Sequence, residues 1–67
     1  MARLTTKEVG LIEDNMRQEQ LMIQKFNFYA AQTTDPNVKN LCENLRDMHQ
    51  RHLDILMRHI NEAAALQ

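Results

Sequence analysis

Apolar residues recur along the first half of the chain with the spacing of one face of an α-helix. Alternating steps of three and four residues connect a row that contains Val9, Ile12, Met16, Ile23, Phe26 and Ala30. This is the spacing of a heptad repeat, and it predicts a long amphipathic helix. Glu19 occupies the one remaining position of the row, where a charged side chain is costly unless it is paired or binds a metal ion.

The second half of the chain carries a wider apolar stripe with the same spacing. One row contains Val38, Leu41, Leu45, Met48, His52, Ile55, His59 and Ala63. A second row lies beside it and contains Cys42, His49, Leu53, Leu56 and Ile60. We expect the first row to form the seam with the first helix and the second row to flank it. No segment alternates with the period of two that is typical of a strand.

The ends of both helices carry recognisable signals. Thr5-Thr6-Lys7-Glu8 is a Thr-x-x-Glu capping box, which would open the first helix. Asp35-Pro36 is a good start for the second, because Asp caps free N–H groups and Pro at the first helical position loses no hydrogen bond. The prediction is a single domain at 1–67, with helix one at about 6–33, a turn at 34–36 and helix two at about 36–63, and with fraying from Ala63 to Gln67.

The size of the chain indicates that it needs a partner. A chain of 67 residues seldom builds enough core to be stable alone. Its only cysteine, Cys42, excludes an internal disulfide and is interpreted as a small buried apolar residue. Two helices with wide apolar faces are best covered by a second copy. We therefore predict an all-α fold, an antiparallel two-helix hairpin that forms a homodimeric four-helix bundle with two-fold symmetry.

Composition narrows the classes of partner. The net charge is −1, and the eight basic and nine acidic residues are mixed along the chain. This distribution gives no nucleic-acid footprint. No apolar stretch approaches the roughly 20 residues that a membrane helix needs. The sequence therefore favours a cytoplasmic protein with neither nucleic-acid nor membrane partners.

A carboxylate and two histidines are predicted to meet inside the hairpin. In an antiparallel hairpin that turns near residues 34 and 35, residues at one level have numbers that sum to about 69. Glu19 then lies between the levels of His49 and His52, which neighbour one another on one helix face. Carboxylate and imidazole suit zinc, iron or manganese, so Glu19, His49 and His52 are the candidate metal ligands. His59 lies two turns further along and is predicted to be a boundary or surface residue.

Two other interpretations of these residues stay open. They could form a buried Glu–His hydrogen-bonded network that fixes the register of the bundle. The register could also differ, so that one or more of the side chains reach solvent. Met16 and Met48 lie within about one turn of the histidine level, which would allow copper, although methionine is an ordinary gap-filler in cores.

Several of these stretches together resemble a known family. The resemblance is carried by Gln18-Glu19-Gln20 on helix one, Phe28-Tyr29-Ala30, the short Asp-Pro turn, and Asp47-Met48-His49-Gln50-Arg51-His52 on helix two. Together they resemble half of a ferritin-like domain and, more narrowly, the small spore coat proteins of the coat F type, from about Thr5 to Ile60. The resemblance implies a non-enzymatic, homodimeric structural protein made during sporulation, deposited in the spore coat and associated with other coat proteins.

One position departs from the metal-binding members of the ferritin-like class. In those proteins each hairpin supplies one Glu from its first helix and a Glu-x-x-His from its second. The resemblance places these on Glu19 and His52, but His49 stands where the second Glu would be. In a dimer of this chain the ligands would be two Glu and four His, with a total charge of about −2. The di-iron ligand set has a charge of about −4. The smaller negative charge suits a single ion better than a pair of irons.

The alternative function is therefore a metal-binding bundle with a redox or storage role, using Glu19, His49 and His52 from both subunits. No nucleophile–base set and no Gly-rich phosphate loop is visible. The sequence leans away from an enzyme, and no cofactor follows from it with certainty.

Overall fold

The computed structural model describes residues 3–65, which form two long α-helices. Helix α1 spans Thr6–Gln32 and helix α2 spans Pro36–Ala65. They pack side by side in an antiparallel hairpin of 49 × 17 × 11 Å. Residues 3–65 contain no strand, so the predicted all-helical hairpin is confirmed. Neither helix, over its described length, has an apolar stretch that could cross a membrane.

Helix α1 begins with the predicted capping box. The Thr5 hydroxyl accepts a hydrogen bond from the Glu8 N–H at 3.1 Å, and the Glu8 carboxylate accepts one from the Thr5 N–H at 2.9 Å. Each bond satisfies a backbone donor that has no partner within the helix. The Thr5 backbone N–H, followed by its hydroxyl, lowers the pKa of the Glu8 carboxyl, because hydrogen bonds to the charged form favour it.

The turn between the helices is built from three short-range hydrogen bonds. The Thr33 N–H donates to the Tyr29 carbonyl at 3.0 Å and closes the last turn of α1. Asp35 Oδ1 accepts from the Asn37 N–H at 2.9 Å, which caps α2 as its sequence predicts. The Asp35 N–H donates to Thr33 Oγ1 at 3.2 Å. This bond joins the residue that follows α1 to the residue that precedes α2.

The far end of α2 is longer than expected. The helix continues to Ala65, two residues beyond the predicted end. Ala63 is buried and helical, and fraying of the chain from this residue onwards stays a prediction. Residues 66 and 67, which were also expected to fray, lie outside the described residues.

The row predicted on α1 is the one that faces α2. Its members are buried or half-buried along the whole helix: Val9, Ile12, Met16, Glu19, Ile23, Phe26 and Ala30. One flank of this row is polar, and the other is mixed, with Leu11, Met22 and Tyr29 among polar residues. The helix therefore has one strongly apolar row to offer its partner, and periodicity identifies it without ambiguity.

On α2 the assignment of the two rows was wrong. The row predicted to flank the seam is the one that packs on α1, with Cys42, His49, Leu53, Leu56 and Ile60 buried or half-buried. The row predicted to form the seam is largely exposed, with Val38 at 42%, Leu41 at 57% and Ile55 at 46%. The rows differ by about 100° of rotation and are both apolar, so their spacing alone does not rank them.

The exposed row of α2 joins an exposed flank of α1 on one side of the hairpin. Asn15 and Glu19 of α1 share a groove with His52, Ile55 and Leu56 of α2, which places these flanks side by side. On the α1 flank, apolar residues alternate with the polar residues Asn15, Gln18 and Lys25, whereas the α2 row is mostly apolar on both sides of His52. We call this surface the outer stripe: Leu11, Met22 and Tyr29 of α1 with Val38, Leu41, Leu45, Met48, His52 and Ile55 of α2.

The opposite side of the hairpin is polar. There the Arg46 guanidinium donates to Asn27 Oδ1 across the helices at 3.1 Å, and Gln50 donates to Asp54 along α2 at 3.0 Å. Met57 is an exposed apolar residue outside the outer stripe, on this side of α2. Leu21 and Phe28 are exposed as well, at 59% and 60%, on the side of α1 that is turned away from α2. The outer stripe is therefore the longest run of exposed apolar positions shared by both helices, but not the whole of the exposed apolar surface.

Candidate metal centre

Glu19, His49 and His52 meet near the middle of the hairpin. Glu19 Oε2 lies 2.6 Å from His49 Nδ1, and Glu19 Oε1 lies 3.7 Å from His52 Nδ1. The structure therefore brings all three predicted residues together, at the level given by the turn position. The side chains of Glu19 and His49 are 20% and 16% exposed, and that of His52 is 49% exposed.

Each residue reaches the cluster in a different way. Glu19 points from the seam row of α1 directly at α2, while His49 belongs to the α2 row that packs on α1. His52 belongs to the exposed row and reaches back towards Glu19 from the outer stripe. The prediction that put His52 in the seam and His49 beside it had these two positions exchanged, because it exchanged the two rows.

Packing fixes the orientation of the His49 ring. The imidazole stacks on Phe26 with ring centroids 5.8 Å apart and planes at 14°, and it meets the edge of His52 at 5.8 Å and 83°. With Nδ1 against a carboxylate oxygen, His49 donates from Nδ1–H to Glu19 in the metal-free state. A ring held on two sides is well placed for ligation, since less motion has to be frozen when an ion binds.

The sequence argument did not identify Phe26 as a neighbour of His49. The numbers of these residues sum to 75, well away from the sum that the turn predicts for residues at one level. The ring of Phe26 reaches this far because a large aromatic side chain covers more than one turn of the facing helix. The available signal was that Phe26 follows Glu19 by seven residues on the same row of α1.

The donor set suits a first-row divalent ion. One ligand atom from each residue lies within 4.8 Å of the other two. In a tetrahedral zinc site with bonds of about 2.0–2.2 Å, ligand atoms stand roughly 3.3 Å apart, so side-chain rotations of modest size would close this set on an ion. Two imidazoles and one carboxylate also leave at least one coordination position open.

The same geometry equally describes a hydrogen-bonded network. A bond of 2.6 Å between His49 and Glu19 is short, as charge-assisted bonds are, and it links the two helices at one level. Among residues whose side chains are described, no buried polar side-chain atom lacks a partner. The network accounts for the burial of Glu19 without an ion, so the metal interpretation stays a prediction.

Two other sequence candidates lie apart from the cluster. His59 is exposed, as expected of a boundary or surface histidine, and it is not part of the ligand group. Cys42 is a buried free thiol with 6% exposure, in agreement with its interpretation as a small apolar residue. Copper binding involving Met16 and Met48 stays a prediction.

Comparisons with protein-family models, with curated proteins and with solved structures gave no match to this chain. The features of this chain that bear on its function are therefore the hairpin, its outer stripe and the Glu–His cluster.

Proposed function

We propose that this chain is a non-enzymatic structural protein whose working form is a homodimeric four-helix bundle. The observation that carries the proposal is the outer stripe, a largely apolar surface along one side of the hairpin that nothing else within residues 3–65 covers. The resemblance of the sequence to the small ferritin-like spore coat proteins of the coat F type supports the same role. In that role the dimer would be a building unit of the spore coat.

The dimensions of the hairpin fit a stable dimer. The hairpin extends over 49 Å by 17 Å, which gives the face that carries the outer stripe a projected area of about 800 Å². Two such faces packed over their whole area would bury about 1,600 Å² in total, which is the standard size of a specific protein–protein interface. Complete burial of one Val, Leu or Ile side chain is worth about 1.5–3 kcal/mol, and the stripe offers several that are only half covered in the hairpin.

The dimer is tested by light scattering coupled to gel filtration on the wild type and two charge variants. Leu41→Lys puts a charge in the outer stripe, where Leu41 is 57% exposed. Met57→Lys is the matched control, because Met57 is also exposed and on α2 but lies on the polar side. We expect a dimer for the wild type and Met57→Lys, and a monomer for Leu41→Lys. A monomeric wild type would overturn the proposal.

The coat role has its own test. The protein is expected to accumulate during sporulation and to be recovered in coat extracts of purified spores. Detection in vegetative cells but not in spores would contradict this role while leaving the dimer in place.

A second candidate function is favoured by the Glu19–His49–His52 cluster. In it, the bundle binds iron, zinc or manganese through these residues from both subunits and serves a redox or storage purpose. The three ligand atoms lie within 4.8 Å of one another, with Glu19 and His49 half-buried between the two helices and His52 exposed at their edge. His49 stands where the di-iron pattern has a Glu. This supports one bound ion rather than two, because fewer carboxylates balance the positive charge of the metal.

Metal content measured by elemental analysis tests this candidate. We expect purified wild type to bind at least one ion per dimer after incubation with zinc, iron or manganese, and to melt at a higher temperature with it. Glu19→Gln and His52→Ala should each abolish binding, while His59→Ala should not. Wild-type protein that takes up well under one ion per dimer, without a thermal shift, would remove the candidate.

A further inference from the structure

His52 belongs to two features of the molecule at once. Its Nδ1 faces Glu19 at 3.7 Å, inside the cluster. Its side chain is nevertheless 49% exposed, and it lies in the outer stripe between Met48 and Ile55. The cluster is thus closed on the side of Phe26 and open on the side where a second copy is proposed to pack.

The cluster also lies at the middle of the hairpin. Glu19 is the central residue of α1, and His49 and His52 bracket the centre of α2. A two-fold axis can relate two hairpins with their turns at the same end or at opposite ends. When the two faces overlap over their whole length, the middle of one hairpin meets the middle of the other in both arrangements. Packing on the outer stripe therefore brings the two clusters to one level of the bundle.

We propose that a divalent ion bound by Glu19, His49 and His52 strengthens the self-association of this chain, with His52 as the link. This inference depends on the dimer proposed above and adds its regulation. The ion is of the zinc type, a cation that takes imidazole and carboxylate ligands and tolerates four-fold coordination.

The physical reason is the cost of covering His52. When a second copy packs on the outer stripe, the polar atoms of a half-exposed imidazole lose water, which is unfavourable unless another partner replaces it. Ligation gives His52 such a partner and fixes its ring beside Glu19. Three ligands from one protomer leave a fourth position on the exposed side, where His52 of the partner subunit approaches. Metal binding and association therefore favour one another, and linkage makes the effect equal in both directions.

Sedimentation of metal-stripped protein, with and without Zn²⁺, tests the coupling. We expect Zn²⁺ to lower the dimer dissociation constant of the wild type by a factor of between about 5 and about 150, the usual range for coupled sites. Glu19→Gln keeps the size of the side chain and the outer stripe, so it should dimerise without a response to Zn²⁺. His59→Ala should respond like the wild type, because His59 is exposed and outside the cluster.

The outcomes separate the two proposals. A wild-type dimer whose dissociation constant is the same with and without Zn²⁺ overturns the coupling and leaves the dimer standing. An equal response of Glu19→Gln and wild type also overturns it, since association would then come from surface residues. Wild-type protein that is monomeric under both conditions removes the dimer as well. As a reciprocal check, monomeric Leu41→Lys should bind Zn²⁺ more weakly than Met57→Lys by the same factor.

Discussion

Glu19 and His49 lie 30 residues apart in the chain, yet their side chains meet at 2.6 Å across the hairpin. Both are less than one quarter exposed, so water screens this contact only in part. The contact joins α1 and α2 at one level, and a shift of either helix by one turn would separate the two side chains by about 5.4 Å. A polar pair in an otherwise apolar seam is a common device for setting register.

A double-mutant cycle measures the strength of this contact. The changes are Glu19→Gln and His49→Gln, alone and together, with urea unfolding at pH 7, without metal and at one protein concentration. We expect a coupling energy of about 1 kcal/mol, because charge-assisted hydrogen bonds are stronger than neutral ones. The cycle of Glu19→Gln with His59→Gln is the control and should be additive. A coupling near zero for Glu19 and His49 would show that the contact contributes nothing to stability.

The cap of α2 gives a second stability prediction. Asp35 Oδ1 accepts from the Asn37 N–H at 2.9 Å and approaches the Val38 N–H at 3.4 Å. Asp35→Ala removes this acceptor and should lower the free energy of unfolding by about 1 kcal/mol. Asp35→Ser retains a capping oxygen and should cost much less. If thermal melts show equal losses for both variants, the aspartate acts through something other than its cap.

The ends of the helices were predictable because each depends on residues close together in the chain. Thr5 and Glu8 satisfy one another over three residues, and Asp35 caps donors two and three positions ahead. The level of the Glu19 cluster followed from the position of the turn. The helix caps are local in the chain, and the level of the cluster follows from the turn, which is also local. Neither depends on how the side chains of the two helices pack.

The rotation of α2 was not predictable in the same way. Leu41 and Cys42 belong to two apolar rows of similar spacing, and each row carries a histidine opposite Glu19. The choice between them depends on which row fits the narrow seam of α1. The small Cys42 lies in the packed row and the larger Leu41 in the exposed one. Such a difference in side-chain volume matters only when two helices approach closely. The spacing of apolar residues along the chain does not reveal it.

Gly10 offers a test of helix propensity without a change in packing. It lies within α1, and a Cβ added there would find no heavy atom within 4 Å in the hairpin. Gly10→Ala should therefore stabilise the protein by about 1 kcal/mol, which raises the melting temperature by about 4–8 °C for a domain of this size. The measurement is a thermal melt at fixed protein concentration. A lower melting temperature would indicate that a second copy approaches the backbone at Gly10.

The capping box at the start of α1 predicts a specific dependence on pH. Hydrogen bonding by Thr5 lowers the pKa of the Glu8 carboxyl in the folded protein, first through the Thr5 backbone N–H and then through the Thr5 hydroxyl. A carboxyl with a lowered folded-state pKa stabilises the fold fully above its unfolded pKa, and this contribution disappears as the pH falls through the folded pKa. Glu8→Gln is the matched variant, because its amide can accept the same hydrogen bond but does not titrate. The stability advantage of the wild type over Glu8→Gln should be constant near neutral pH and should vanish in acid.

NMR titration of the Glu8 carboxyl carbon measures the pKa of Glu8 directly, and Thr5→Ala should raise this pKa. A Glu8 pKa at its ordinary value in the wild type would contradict the box as a source of stability.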